Sequence, residues 1–542
     1  MFTYFHPYIP QMWKGHELRG LIDAHAGVRF CQSADLAQQD KFNQLAAVGS
    51  PFEQMIAKTK MPMYVDRLQG GSFWHEYTYD KDLLHHYRTM LGDRFYGFQM
   101  HEWVGNVMTD LRRIRACIGA TEWNAENITR ALLENHPYDH PWTEARSVAE
   151  YAAWKDPKTF AQFRANYETM YKTRIKDLGE ELVPCDSCAL AYQFEIAAGA
   201  KHLMPEIGAQ TYDTKLQIAY ARGMARTHDI DFGVYYEPWG GEPFSTSLYH
   251  REGKNEWNVS NYGPFFPIGD NGGSSRSLQR RLHLYSYYAG ADFISEEWSG
   301  GNTFYDWNDY ELTPYGKVKY DFLQFVKRNP KEKIGTPYTP IAIVLSKDAL
   351  PVFDIRGGNT RYMDFDLDGS VAENTLAERN ALRELLAAET EMKGSETSVL
   401  INSLLPDAFD VIHTDAPKLD ASYQYFVNCT GDPAFEKAHR CCTVEEAKEL
   451  IHQLMPCEVH GNVHWMVNRT ENGWLLIIFN HSGIHRSVEK GEYTLPDCEE
   501  HVTVSIKNNS PMQFEEGDAV FAKDGDAYHI TVPAGGFFVG RF

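Results

Sequence analysis

The stretch GADFISEEWSGG, residues 290–301, decides how the first two-thirds of the chain is read. A short strand-like run, ADFIS, ends in adjacent glutamates, Glu296 and Glu297, and a tryptophan and a Gly-Gly pair follow. Buried carboxylates are costly unless paired. A strand that delivers two of them beside an aromatic ring and flexible backbone is suited to meet a polar ligand. The arrangement recurs at residues 233–241, GVYYEPWGG, where Glu237 precedes Pro238, Trp239 and Gly240-Gly241.

Working outward, short apolar runs alternate with helix-like segments as far as residue 345. The strand candidates are AGVRF (26–30), MPMYV (61–65), FYGFQM (95–100), ELVPC (181–185), HLMPE (202–206), DFGVYY (231–236), ADFIS (291–295) and PIAIVL (340–345). Helical spacing of apolar residues marks 145–178 and 212–228. Residues 274–290 open with serines and close with glycine, as helix caps require. Eight strands alternating with helices predict a parallel sheet, and eight is the number that closes a (β/α)8 barrel. Residues 104–144 read as an insertion over one barrel end.

Past Lys347 a helical pattern at 371–394, the runs FDVIHTD (409–415) and YQYFVNCTG (423–431), and a helix at 443–454 with a Thr-x-x-Glu capping box predict a second, smaller α/β domain. From about residue 459 the apolar period becomes two, and VHWMVNRTENGWLLIIFNHSG reads as a hairpin around Glu-Asn-Gly. The expected architecture is therefore α/β: a (β/α)8 TIM barrel over 1–346, a flavodoxin-like α/β domain over 347–457, and a C-terminal antiparallel β-sandwich over 458–542.

Barrel chemistry sits at the C-terminal ends of the strands. By that rule Asp66 and Arg67 end one run, His101 and Glu102 another, and Asp186, Glu206, Glu237 and the Glu296/Glu297 pair end four more. Structural uses compete with each: Asp186 could cap a helix, Asp66 could pair with Arg67, and His101 with Glu102 could form a buried pair. Two carboxyl groups converging on a cleft suit glycoside hydrolysis, one donating a proton to the leaving oxygen while the other attacks the anomeric carbon or activates water. Trp239 and Trp298 offer faces for a sugar ring to stack on.

Charge excludes one class of partner. With 52 Lys+Arg against 74 Asp+Glu the net charge is −22, which repels a phosphate backbone, so nucleic acid is not expected. No stretch approaches the length of a membrane span, and no signal peptide is visible at the N-terminus. Nine scattered cysteines fit reduced thiols and a cytoplasmic setting. Cys185 and Cys188 have CxxC spacing but no second pair to complete a zinc site. No cofactor or metal is expected.

The segments YVDRLQGG, GFQMHEW, YYEPWGG, GGSSRSLQRR and SEEWSGGNTFYDWNDYELTPYGKV resemble bacterial (β/α)8 glycoside hydrolases. The three-part layout is similar to the β-galactosidase-type enzymes of the retaining clan. The resemblance implies a carbohydrate substrate, a homo-oligomer, and a glutamate nucleophile at the end of strand seven, where Glu296 and Glu297 stand. The residues expected to bind the substrate are Asp66, Arg67, His101, Glu102, Asp186, Glu206, Trp239, Glu296, Trp298 and Asn302. The clan's Asn-Glu acid/base at the end of strand four has no counterpart, since that run ends in Asp186. The expectation is thus Glu297 as nucleophile and Glu237 as acid, with Glu296 and Glu206 as their competitors. Two other readings are a non-catalytic carbohydrate-binding relative and a metal-dependent sugar-processing barrel enzyme.

Overall fold

The computed structural model describes residues 3–4, 47–59, 62–70, 80–119, 121–134, 145–178, 182–197, 199–208, 213–237, 250–252, 256–258, 274–296, 312, 314–351, 355, 369–388, 390, 392–393, 399–487 and 491–542. AGVRF lies outside them, as do Trp239, Glu297, Trp298 and Asn302. The chain is a mixed α/β protein with two parallel sheets and a set of antiparallel ones.

In the first sheet the strands run in the order Thr3–Tyr4, Phe293–Glu296, Val234–Glu237, His202–Gly208, Leu182–Asp186, Phe95–His101 and Met63–Gly70. All their pairings are parallel. Apart from Thr3–Tyr4, spatial order follows chain order, with a helix in each connection, as expected when crossovers return each strand beside the last. Met204 and Tyr235 join a small cluster with Val183, Cys185 and Phe293 on one face. Leu203, Ile207, Val234 and Tyr236 join the helix-facing core on the other. Both faces are apolar, which explains the nearly continuous hydrophobic runs in the sequence.

The ends of this sheet approach one another. Tyr64, on the last strand of the path, hydrogen-bonds Ser295, on the second. The Tyr96 and Phe293 rings meet edge-on at 5.6 Å. Gly233 lies where the sheet is crowded, since a Cβ there would fall 2.2 Å from the Phe293 ring. It divides the expected strand 231–236 into Asp231–Phe232 and Val234–Glu237, which keep one register against His202–Gly208.

Two expectations are corrected. PIAIVL does not close this sheet. Ile341–Leu345 is the central strand of a separate three-stranded parallel sheet, between Phe409–His413 and Tyr425–Asn428, and Thr3–Tyr4 occupies the place beside Phe293–Glu296. The strand containing MPMYV runs on to Gly70 instead of ending before Asp66. Within 104–144 the described residues are helical: Trp103–Ile118 and Ala125–Glu134 pack with Ala145–Trp154 and Phe160–Leu178 around a core shared with strands Met63–Gly70 and Phe95–His101.

Helix Thr214–His228 joins the two parallel sheets, packing on His202–Gly208 at one side and on Phe409–His413 at the other. Gly223 permits the contact, because a Cβ there would lie 2.2 Å from the Val411 carbonyl oxygen. The helix is buried almost all round, and several of its polar side chains find internal partners. Arg222 Nε donates to Asp410 Oδ1 at 2.6 Å and Arg226 to Asp410 Oδ2 at 2.7 Å, while the Tyr220 hydroxyl meets His413 Nε2 at 2.9 Å.

In the last part of the chain, the hairpin forms as expected. His464–Thr470 pairs antiparallel with Gly473–Phe479 across Glu471 and Asn472. With Phe537–Arg541, Gln513–Gly517 and the short Thr336–Pro337 these strands make one sheet. Cys457–His460, Glu500–Ile506, Ala527–Val532 and Val520–Asp524 make a second, and buried residues of both sheets share one core.

Candidate active site at the C-terminal edge of the first sheet

Because the strands are parallel, their C-terminal ends share one edge, and that edge is acidic. Glu102 follows His101, the last residue of Phe95–His101. Asp186 ends the next strand and stands opposite Pro205. Glu206 is opposite Tyr235, Glu237 is opposite Gly208, and Glu296 is opposite Tyr236. Glu237 and Glu296 are the terminal residues of adjacent strands, as the sequence rule requires.

Glu102 sits at the N-cap of helix Trp103–Ile118 with a left-handed backbone, φ 46°, which is uncommon for a residue with a Cβ. Its side chain is half-buried and accepts from Ser187 Oγ at 2.8 Å. Gln217 in turn donates to the Ser187 carbonyl at 2.8 Å, so two strand ends and the first turn of helix Thr214–His228 are tied together through Ser187.

Asp186 is buried, and both its oxygens are taken by backbone. Oδ2 accepts from Val104 N–H at 3.1 Å and Oδ1 from Cys188 N–H at 2.8 Å. The first bond caps Trp103–Ile118, whose own N-cap residue makes no side-chain cap bond. The acid therefore caps a helix from the neighbouring strand, not the helix that follows it. Burial pushes its carboxyl up to about 7, with the Glu102 charge adding and the two N–H bonds opposing.

Glu206 is buried inside its strand, two residues before Gly208 instead of at the end. Asp66 and Arg67 lie in a bulge: Val65 pairs with Phe98 and Gln69 with Met100, so three residues intervene on one strand against one on the other. Bulges of this kind re-aim side chains and are common beside active sites. Cys185 and Cys188 are buried free thiols.

Sequence reasoning missed Ser187, Gln217, Tyr64 and Ser295, whose polar atoms line or brace this edge. Ser187 was one residue from discovery, since it directly follows Asp186. It also missed Glu195, a fully buried acid that accepts from the Tyr167 hydroxyl at 3.0 Å. Burial pushes the Glu195 carboxyl well above the usual range, and the Asp186 charge adds to this. Nothing in its helical context, Tyr-Gln-Phe-Glu, separates it from a solvent-facing glutamate.

No family model and no curated protein sequence matches the chain. Solved structures that resemble it include the catalytic module of a family 98 glycoside hydrolase from Streptococcus pneumoniae TIGR4 (9% identity, 93% of this chain and 87% of that one, TM-score 0.42). An α-L-fucosidase isoenzyme from Paenibacillus thiaminolyticus matches at 10% identity over 94% and 90%, with a TM-score of 0.38. A catalytic mutant of a GH42 β-galactosidase from G. stearothermophilus matches at 8% identity over 100% and 98%, with a TM-score of 0.41.

Proposed function

We propose that the protein is a glycoside hydrolase, with the first sheet closing as a (β/α)8 barrel and the substrate seated on its acidic edge. The observation that carries this reading is the edge itself: adjacent parallel strands bring Glu102, Asp186, Glu206, Glu237 and Glu296 to one side. A cleft with several acids lets one carboxyl keep its proton while another stays ionised, which is the pairing that cleavage of a glycosidic bond needs. In this reading Glu237 is the general acid and Glu297, one residue past the described strand, is the nucleophile. Asp186 supports the edge through backbone bonds. Glu102, held by Ser187, and the bulge at Asp66 and Arg67 contribute to substrate binding, together with Trp239 and Trp298.

The test is a panel of aryl glycosides assayed with and without chelator. Turnover indifferent to chelator is the expected result. Binding without turnover would leave a carbohydrate-binding protein, and turnover abolished by chelator would make the site metal-dependent.

A further inference from the structure

We propose that the C-terminal end of helix Trp103–Ile118 carries a second ligand site, an open pocket that takes a neutral pyranose with its ring laid on Trp123. The helix has 16 residues, so at a rise of 1.5 Å per residue its far end stands about 24 Å from the acidic edge where it begins. The recognition chemistry is the pocket's own and does not depend on the glycosidase reading.

The pocket has a volume of about 410 Å³, within the roughly 300–1,000 Å³ of small-molecule sites. Arg115, Thr121, Asp156 and Lys158 give it a polar lining, and Trp123 gives it an aromatic one. Trp123 is half-buried, packs against the helical core and donates from Nε1 to the Tyr151 carbonyl at 2.7 Å. With its N–H engaged, the indole has ring surface to offer, which suits the apolar face of a sugar.

The polar lining is held in place before any ligand arrives. Arg115 Nε donates to Asp156 Oδ1 at 2.8 Å, and Arg115 also donates to the Pro157 carbonyl. Lys158 donates from Nζ to Asp156 Oδ2. Burial opposes ionisation of Asp156, but the bonds from Lys158 and Arg115 outweigh it and hold the carboxyl below its ordinary range. The backbone that presents Asp156 is left-handed at two successive residues that carry a Cβ, Lys155 at φ 54° and Asp156 at φ 50°. Such a pair is strained, and strain of this kind clusters where ligands are held.

The balance of charge and of donors selects a neutral polyhydroxylated molecule. Two cations meet one carboxylate, and the helix end capped by Gly119 adds roughly half a negative charge. The sum is close to zero, so an anion gains little and has Asp156 to repel it. Lys158, its side chain 75% exposed, uses one ammonium proton of three on Asp156. Each Asp156 oxygen has a second lone pair, and the Thr121 hydroxyl, which donates to the Ile118 carbonyl, can still accept. Donors and acceptors therefore stand side by side, and adjacent sugar hydroxyls, each of which both donates and accepts, match them.

The experiment labels the full chain with fluorotryptophan and follows it by fluorine NMR, with the Trp123→Phe variant identifying the Trp123 resonance. Methyl glucopyranoside, galactopyranoside and fucopyranoside are titrated in turn, and sodium phosphate is the anionic control. At least one pyranoside is expected to move the Trp123 resonance along a saturating curve, while phosphate leaves it in place. Lys158→Ala, at an exposed position, is expected to weaken that binding several-fold. Because Trp123→Phe could fail to fold, wild-type crystals soaked in the same pyranosides supply an independent readout, sugar density against the Trp123 ring. A Trp123 resonance that no pyranoside moves, one that phosphate moves equally, binding undiminished in Lys158→Ala, or soaks that place no sugar at Trp123 would overturn the proposal.

Discussion

His464 Nδ1 lies 2.9 Å from His481 Nε2, and the direction of that hydrogen bond is set by Arg281. An arginine can only donate, and Arg281 reaches His481 Nδ1 at 2.8 Å, so that nitrogen accepts. His481 must then carry its proton on Nε2 and give it to His464 Nδ1. His464 donates through Nε2 to Asp407 Oδ2 at 3.2 Å. Both rings are neutral in this relay, which runs from helix Arg276–Tyr288 through His481 and His464 to Asp407. Burial, then the Arg281 charge, holds the His481 imidazolium form well below its ordinary range.

The sign of the pH effect follows. Below about pH 6.5 the unfolded chain takes up a proton at His481 that the folded chain refuses, so this residue's support for the fold is complete above that pH and lost as pH falls. Glutamine keeps the acceptor and the donor but cannot titrate. His481→Gln should therefore gain on the wild type in acid, by up to about 1.4 kcal/mol per pH unit, in urea unfolding at pH 7.5, 6.0 and 5.0. A constant difference across that range would refute the neutral relay.

Gly223 makes a second junction testable. Alanine is the better helix former by about 1 kcal/mol. Its Cβ would nevertheless stand 2.2 Å from a backbone oxygen on strand Phe409–His413, which cannot swing aside as a side chain can. Gly223→Ala should lose about 2 kcal/mol or more, read as a lower urea midpoint. An unchanged midpoint would mean that the helix and strand are not in contact in solution.

The strands of the first sheet were legible as apolar runs meeting polar residues, and Glu237 and Glu296 do end theirs, while Met63–Gly70 runs past Asp66 and Glu206 lies inside its strand. PIAIVL was not legible as a member of the second sheet. A strand buried on both faces reads the same in any parallel sheet, and its true neighbours begin at Phe409 and Tyr425, more than sixty residues later. The junction was hidden for the same reason: His464 and His481 sit in an apolar hairpin pattern, and the acid that explains them, Asp407, lies in an unrelated segment. Asp186 was recognised as a possible cap, but the helix it serves precedes it in the chain.

Asp186→Asn tests that cap. An amide presents a donor to one of two buried N–H groups, at a cost of about 1–3 kcal/mol. The carboxyl's folded-state pKa of about 7 exceeds its unfolded value, so its proton-linked stability is complete at low pH and lost as pH rises toward 7. The variant's deficit should be larger at pH 4.5 than at pH 7.5. The reverse order would mean that Asp186 is ionised throughout.

Strand alternation allows only one of two adjacent glutamates to face the mouth. Glu297→Gln should abolish turnover, while Glu296→Gln should leave a measurable fraction. If Glu296→Gln alone is inactive, the nucleophile is Glu296.

The acid is the harder assignment. Glu237 ends a strand of Val234, Tyr235 and Tyr236, and in the sequence Pro238 and Trp239 follow it. Glu206 is one strand away, buried and opposite Tyr235. Leaving-group chemistry separates them. A dinitrophenolate departs without protonation, whereas a natural sugar alcohol needs a proton, so losing the general acid harms the second substrate far more than the first. Losing a residue that only binds substrate harms both alike. Glu237→Gln should therefore keep much more activity on a dinitrophenyl glycoside than on an unactivated one, and azide should partly rescue it if a glycosyl-enzyme forms. Glu206→Gln should lose both activities in equal proportion. The opposite pattern, an even loss for Glu237→Gln and a leaving-group-dependent loss for Glu206→Gln, would transfer the acid to Glu206.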